Sequence, residues 1–213
     1  RQNYESQPYG RDDQLLSQHL FPEGHPYSWP VIGSHEDLQA ATLDDVKTFF
    51  RTFYAPNNMS LCISGDFDPA EAKRLVEKYY GAIAPGPGLD RPRRWVPTLE
   101  GERVIEVADR VPQERVYLAW PAPALFDADE PALRMAARIL SDGYSSRLTR
   151  ALVYDRQLCS DVSADYDGME IAGMFVIVAT ARPGVSLEEV ERVAGAELVR
   201  LAQNGPTAEE LTR

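Results

Sequence analysis

Leu158-Cys-Ser-Asp-Val-Ser-Ala-Asp-Tyr166 and Gly173-Met-Phe-Val-Ile-Val-Ala-Thr180 are two strand-like runs, with Asp167-Gly168 between them as a turn signal. Met174–Ala179 is the longest apolar run of the chain and suits a buried strand. Asp161, Asp165 and Asp167 alternate along the first run as a solvated face would. Just beyond, Ser186 with Glu189 predicts a capped helix carrying Val190, Val193, Ala194, Leu198 and Leu201. Upstream, Leu133, Ala136, Ala137 and Leu140 form a helical stripe, and Ser145 to Asp155 reads as a second helix. Further upstream, Arg103–Val107 and Arg115–Trp120 are expected to pair as strands, with Pro112 in the turn. Residues 101–213 therefore read β-β-α-α-β-β-α, an α+β layer with an antiparallel or mixed sheet.

The first part of the chain reads differently. Gln14–Phe21 predicts a short helix, followed by an irregular stretch over 27–34. Thr42 is an N-cap with Asp45 behind it, and Val46, Phe49, Phe50 and Phe53 repeat at helical spacing. Pro56-Asn57-Asn58 breaks that helix, Met59–Gly65 reads as a strand, and Asp68-Pro69 starts a helix ending at Gly81. One strand makes no sheet. Met59–Gly65 is accordingly expected to lack native neighbours and to recruit another edge, from the second half of the chain or from a second copy. Pro85, Pro87, Pro92 and Pro97, with Gly86 and Gly88, mark a linker. The division expected is 1–84, a linker over 85–100, and 101–213. The chain opens on Arg1 without a leader and closes soon after the Thr207/Glu210 capping box, so a piece of a longer protein is expected.

A net charge of −11 argues against nucleic-acid binding, which rests on phosphate neutralisation. No apolar run reaches the length of a membrane span. Cys62 and Cys159 each sit in a strand-like run and are expected in the core; a disulfide between them stays open. His19, His25 and His35 make no metal-ligand pair: His35-Glu36 starts an H-E-x-x-H pattern that fails at Gln39. They read as surface or hydrogen-bonded histidines. Pro85-Gly-Pro-Gly88 lacks the N–H donors of a phosphate nest. Asp161, Asp165 and Asp167 read as solvated, not as a calcium site. Gly143 with Ser145-Ser146-Arg147-Leu148 meets a helix start, where an anion could bind, or where a serine simply caps the helix. The residues alone thus give a two-part α/β chain with no complete active site.

Arg1–Glu5, Pro8–Gly10, Gly24–Pro30, Ile32-Gly33, Tyr54–Asn58, Gly65–Pro69, Ser145–Leu148 and Gly205–Thr207 with Leu211 resemble, in order and spacing, the pitrilysin/insulinase family of inverted-motif (H-x-x-E-H) zinc metallopeptidases. The likeness spans nearly the whole chain and is strongest to the short bacterial members. It implies two-layer α/β sandwich domains of the mitochondrial-processing-peptidase type, the first only partly present. It also implies a zinc endopeptidase whose metal ligands and catalytic base lie ahead of Arg1. No zinc, catalytic residue or metal ligand is then expected within this chain. The family's substrate-binding Arg and Tyr, seven residues apart, fall on Val153 and Ser160, which cannot do that work; Tyr154 and Arg156 are out of register. Some bacterial members divide zinc and the Arg/Tyr pair between two chains, and loss of the pair here fits the zinc-carrying subunit of such a heterodimer; the resemblance allows a homodimer or a heterodimer with a subunit of the same family, and a peptide as substrate. The alternative is a non-catalytic partner or structural subunit of the same family, and a third reading is an unrelated α+β binding domain. The compartment implied is the bacterial periplasm or cell envelope.

Overall fold

A computed structural model describes residues 6–212. The Arg1–Glu5 portion of the resemblance lies outside the described residues. The helices α1 (Asp12–Leu20), α2 (His35–Ala40), α3 (Leu43–Phe53) and α4 (Pro69–Tyr80) come first, with a tight turn at Pro56–Asn58. Next in the chain are β1 (Arg115–Ala122), α5 (Glu130–Ser141), a π-helical turn (Thr149–Asp155), β2 (Cys159–Gly168), β3 (Gly173–Ala181), α6 (Leu187–Asn204) and α7 (Ala208–Thr212). Packing divides the chain into two bodies. One joins the residues up to Ile32 to those from Arg93 onward; the other is Gly33–Pro92. The composition breaks that set 1–84, 85–100 and 101–213 track the sequence, whereas the bodies track contacts, which return the N-terminal arm to the later residues.

In the first body, β3 lies between β1 and β2, and both pairings are antiparallel. β3 takes the centre because its uninterrupted apolar run can be covered on both faces. Ile177 stands opposite Leu118 on β1 and Ala164 on β2. These residues pack against Leu140, Leu148, Leu152, Val190 and Val193 in one core. Each such side chain, fully buried, contributes about 1.5–3 kcal/mol over leaving it exposed. The sheet's other face meets the end of α1, where Leu20 and Phe21 pack with Ala119, Ala172 and Met174.

Four local readings need correction here. Residues 103–107 form no strand; β1 pairs with β3 instead, over eight residues from Arg115↔Thr180 to Ala122↔Gly173. The three apolar side chains of 103–107 offer less to bury than that ladder, and Val104, Ile105 and Val107 stay exposed. Asp167-Gly168 is not the turn, because the ladder continues to Gly168↔Gly173 and the loop closes with Met169 N–H donating to the Ala172 carbonyl. Gly173 has to be glycine: a Cβ there would sit 2.6 Å from the Pro123 carbonyl oxygen. Ser186 precedes α6 without a side-chain cap, since its backbone carbonyl, not its hydroxyl, receives the Glu189 N–H. The Ser145–Asp155 helix is a turn leading into wider π winding.

The second body holds α2, α3 and α4. The capping box at Thr42 forms as expected: Asp45 N–H donates to the Thr42 hydroxyl, and Thr42 N–H donates to Asp45 at 2.8 Å. α2 falls just past the irregular stretch and is set by Ser34, whose hydroxyl accepts from Asp37 N–H. Pro85–Gly88 is pinned rather than loose, because Asn57 brackets Gly86 with both ends of its amide. Met59–Gly65 has no ladder partner among the described residues, so it does not pair with the second half of its own chain. Cys62, expected in the core, is exposed for that reason, while Cys159 is buried in β2; both are free thiols. Phe49, Phe50, Phe53, Leu61 and Ile63 are exposed as well.

Candidate functional site

A bidentate ion pair grows from Ser146-Arg147-Leu148. α5 ends at Ser141, and Gly143, at φ +84°, turns the chain back. The Ser146 hydroxyl donates to the Gly143 carbonyl at 2.7 Å, and Leu148 is fully buried behind it. Arg147 then reaches α7. Its Nε donates to Glu210 Oε1 at 2.6 Å and its Nη2 to Glu210 Oε2 at 2.8 Å, a bidentate pair. Nη2 also donates to the Gly205 carbonyl at 2.9 Å. Glu210 is aimed by its own capping box, in which Thr207 N–H donates to it at 2.7 Å. The Arg147 hydrogen bonds, with those from Thr207, hold the Glu210 carboxyl down at about 2. The two motifs at 145–148 and 205–210 therefore meet as a clamp. The Ser146 hydroxyl thus serves as a donor that fastens this turn to the Gly143 carbonyl.

The π winding after Thr149 sets where the next side chains point. Val153 packs half-buried against the main core, and Ser160 donates to Gln113 Oε1 and to the Thr180 carbonyl. Both positions of the implied Arg/Tyr pair thus carry structural side chains. Tyr154 is exposed and meets Tyr144 edge-on at 6.0 Å, beside a groove lined also by Met135, Arg138 and Leu211. Arg156 is exposed.

Among the described residues the histidines do not converge on one point. His19 is half-buried and lends its backbone carbonyl to Arg103. His35 is exposed and bonds Gln39 within α2. His25 is fully buried and bonds the Trp95 carbonyl and the Tyr27 N–H. Among the described residues no group of three or more His, Cys, Asp or Glu could hold a metal ion. The described residues therefore do not fit a zinc site. Asp161, Asp165 and Asp167 lie exposed along β2.

Sequence reasoning missed one cluster. The Arg115 guanidinium stacks 3.6 Å over the Tyr9 ring, and the Tyr9 hydroxyl donates to the Gln113 carbonyl. The Tyr117 hydroxyl donates to Asp12 in a short hydrogen bond. Burial raises the Asp12 carboxyl and, with the Asp12 hydrogen bond, pushes the Tyr117 phenol up to about 12. The signal available was the polar-facing Arg115/Tyr117 pair on β1, two residues apart and so on one face.

Comparison with known proteins adds four findings to this geometry. Residues 40–213 match the family described as the peptidase M16 inactive domain. The zinc protease PqqE of Helicobacter pylori is 29% identical over 197 residues, covering 89% of this chain and 43% of that protein. Among solved structures, a protease from Helicobacter pylori superposes with a TM-score of 0.82 at 27% identity, over 100% of this chain and 52% of that one. A peptidase M16 inactive domain from Pseudomonas fluorescens gives 0.84 at 23% identity, over 99% of this chain and 50% of that one. The chain spans about half the length of the relatives it matches.

Proposed function

The chain belongs to the peptidase M16 family, and on that premise we propose that it is the non-catalytic portion of a zinc-dependent metalloendopeptidase. The observation that carries the reading is the match of residues 40–213 to the family's inactive domain, together with a relative named as a zinc protease. In the whole protein, a zinc ion held by residues outside 1–213 would activate the water that attacks the peptide bond. Residues 1–84 complete the metal-bearing domain, whose other strands cover the apolar faces that α3 and Met59–Ile63 expose. Residues 101–213 form the second domain, and 85–100 connects the two.

Val153 and Ser160 support a division of labour. With neither side chain able to bind a peptide carbonyl or steady its developing charge, a second subunit of the same family supplies those donors. The substrate is a peptide or small protein. A bacterial periplasmic or envelope location goes with the short bacterial type. The second reading is a subunit without zinc that acts in assembly or peptide binding, favoured by the same two positions. Hydrolysis of an unstructured peptide by the whole protein separates the two. Cleavage that a chelator abolishes and zinc restores supports the enzyme. No cleavage, alone or with a co-expressed family subunit, supports the partner role.

A further inference from the structure

Two crossings connect the bodies, at 32–33 and at 92–93. Just inside the first body, one residue ties the outgoing segment to the returning one. His25 is fully buried, with its ring 4.7 Å from Phe21 and 4.7 Å from Trp95, and tilted against Tyr27. Its Nδ1 accepts the Tyr27 N–H at 3.0 Å. That fixes the tautomer: Nε2 carries the hydrogen and donates to the Trp95 carbonyl at 2.9 Å. Trp95 N–H in turn donates to the Ile171 carbonyl, and Ile171 N–H donates to the Tyr27 hydroxyl. The loop closes on itself and uses every polar atom of a neutral imidazole.

A second proton has only one place to go, Nδ1, where it faces the Tyr27 N–H. A donor then meets a donor in a site with no water-exposed alternative, and the hydrogen bond is lost with the desolvation cost of both groups. Among the described residues no carboxylate is hydrogen-bonded to the ring to compensate. Tyr27 is the titratable group that faces the ring, and its hydroxyl is turned to Ile171. Nearby in sequence, Glu23 and Glu170 are exposed, and Arg94 is committed to Asp127 and to the Leu125 carbonyl.

We propose that His25 is a pH-sensitive staple that fastens residues 22–32 to 93–97 while neutral and releases them when protonated. The sign is set by which form the site accepts. The folded staple holds the neutral ring, whose Nδ1 must accept and whose Nε2 must donate, so it is fastened at the higher pH and weakens as pH falls. Release loosens both segments at once, because the same ring holds the two. This inference rests on the geometry alone and is independent of the proposed zinc chemistry.

Hydrogen exchange read by mass spectrometry on the whole protein tests it, as protection factors corrected for intrinsic exchange. Peptides covering 22–32 and 93–97 are expected to lose about tenfold protection between pH 7.5 and 5.5, while β3 peptides do not change. In His25→Gln, which keeps a donor and an acceptor but does not titrate, that pH dependence disappears. Equal loss in His25→Gln, or no loss in the wild type, overturns the proposal. Should His25→Gln not fold, the wild-type profile decides: loss confined to those two segments supports the staple, and loss shared by β3 overturns it.

Discussion

The β1–β3 body and the Gly33–Pro92 body are built from local signals of similar quality, yet only one of them has a core. α3 carries a complete capping box, and its Phe49 and Phe53 rings approach to 5.0 Å. Even so, Phe49 is 52% exposed, whereas Leu152 in the π-helical turn, a poorer helix by local standards, is 0% exposed. Caps and periodicity determine that a helix forms; burial needs a second surface, and only the sheet supplies one here. The free energy of the chain therefore sits in the sheet and the helices on it, not in the better-written helices of the second body.

Substitutions break or sharpen this contrast. Leu152→Ala is expected to cost about 3 kcal/mol in denaturant unfolding, the transfer term plus a cavity that a packed core cannot close. Phe49→Ala made in residues 1–213 should cost under about 1 kcal/mol, since little burial is lost. If further strands cover that face in the whole protein, as proposed, the same change there should cost about 3 kcal/mol. Equal small costs in both would remove the proposed domain completion.

The next effect belongs to the clamp. Arg147→Ala should lose about 2 kcal/mol, since it removes the bidentate pair with Glu210 and the bond to the Gly205 carbonyl. Glu210 gives the same clamp a pH signature. Its carboxyl is depressed in the fold, to about 2, so its contribution is present above the unfolded value near 4.5. Stability should drain away as pH falls from about 4.5 to about 2, and Glu210→Gln should flatten that segment of the unfolding curve. A Glu210→Gln profile that still falls in parallel with the wild type would take the clamp out of the account.

Much of the fold is legible in the sequence, and the failures share a cause. Thr42/Asp45, Asp68-Pro69 and the β2–β3 hairpin are readable because each depends on residues close in the chain. Ser186 with Glu189 looks as good as Thr42 and forms no side-chain cap, since the Glu189 N–H goes to the Ser186 carbonyl. Arg103–Val107 fails because strand pairing is decided by the best available edge, and β3 is about seventy residues away. Arg147 is visible as part of a motif, but its partner Glu210 lies sixty-three residues on and no local pattern joins them. His25 reads as a hydrogen-bonded histidine, and the closed ring of contacts around it needs Trp95 and Ile171 in place.

Smaller effects test the second body itself. Gly86→Ala would place a Cβ 2.5 Å from the Ala55 Cβ and 3.0 Å from the Arg51 carbonyl oxygen, so about 1–2 kcal/mol of strain is expected from thermal unfolding of that body. Thr42→Ala removes the α3 cap and should cost about 1 kcal/mol, read as faster amide exchange in the first turn of α3. If Thr42→Ala proved costlier than Leu152→Ala, local signals rather than the shared core would hold the molecule.

Zinc content bears most directly on the central claim. Elemental mass spectrometry of the purified whole protein and of residues 1–213, both dialysed without chelator, should find about one zinc per chain in the first and almost none in the second. Stoichiometric, dialysis-resistant zinc in residues 1–213, or none in the whole protein, would contradict it.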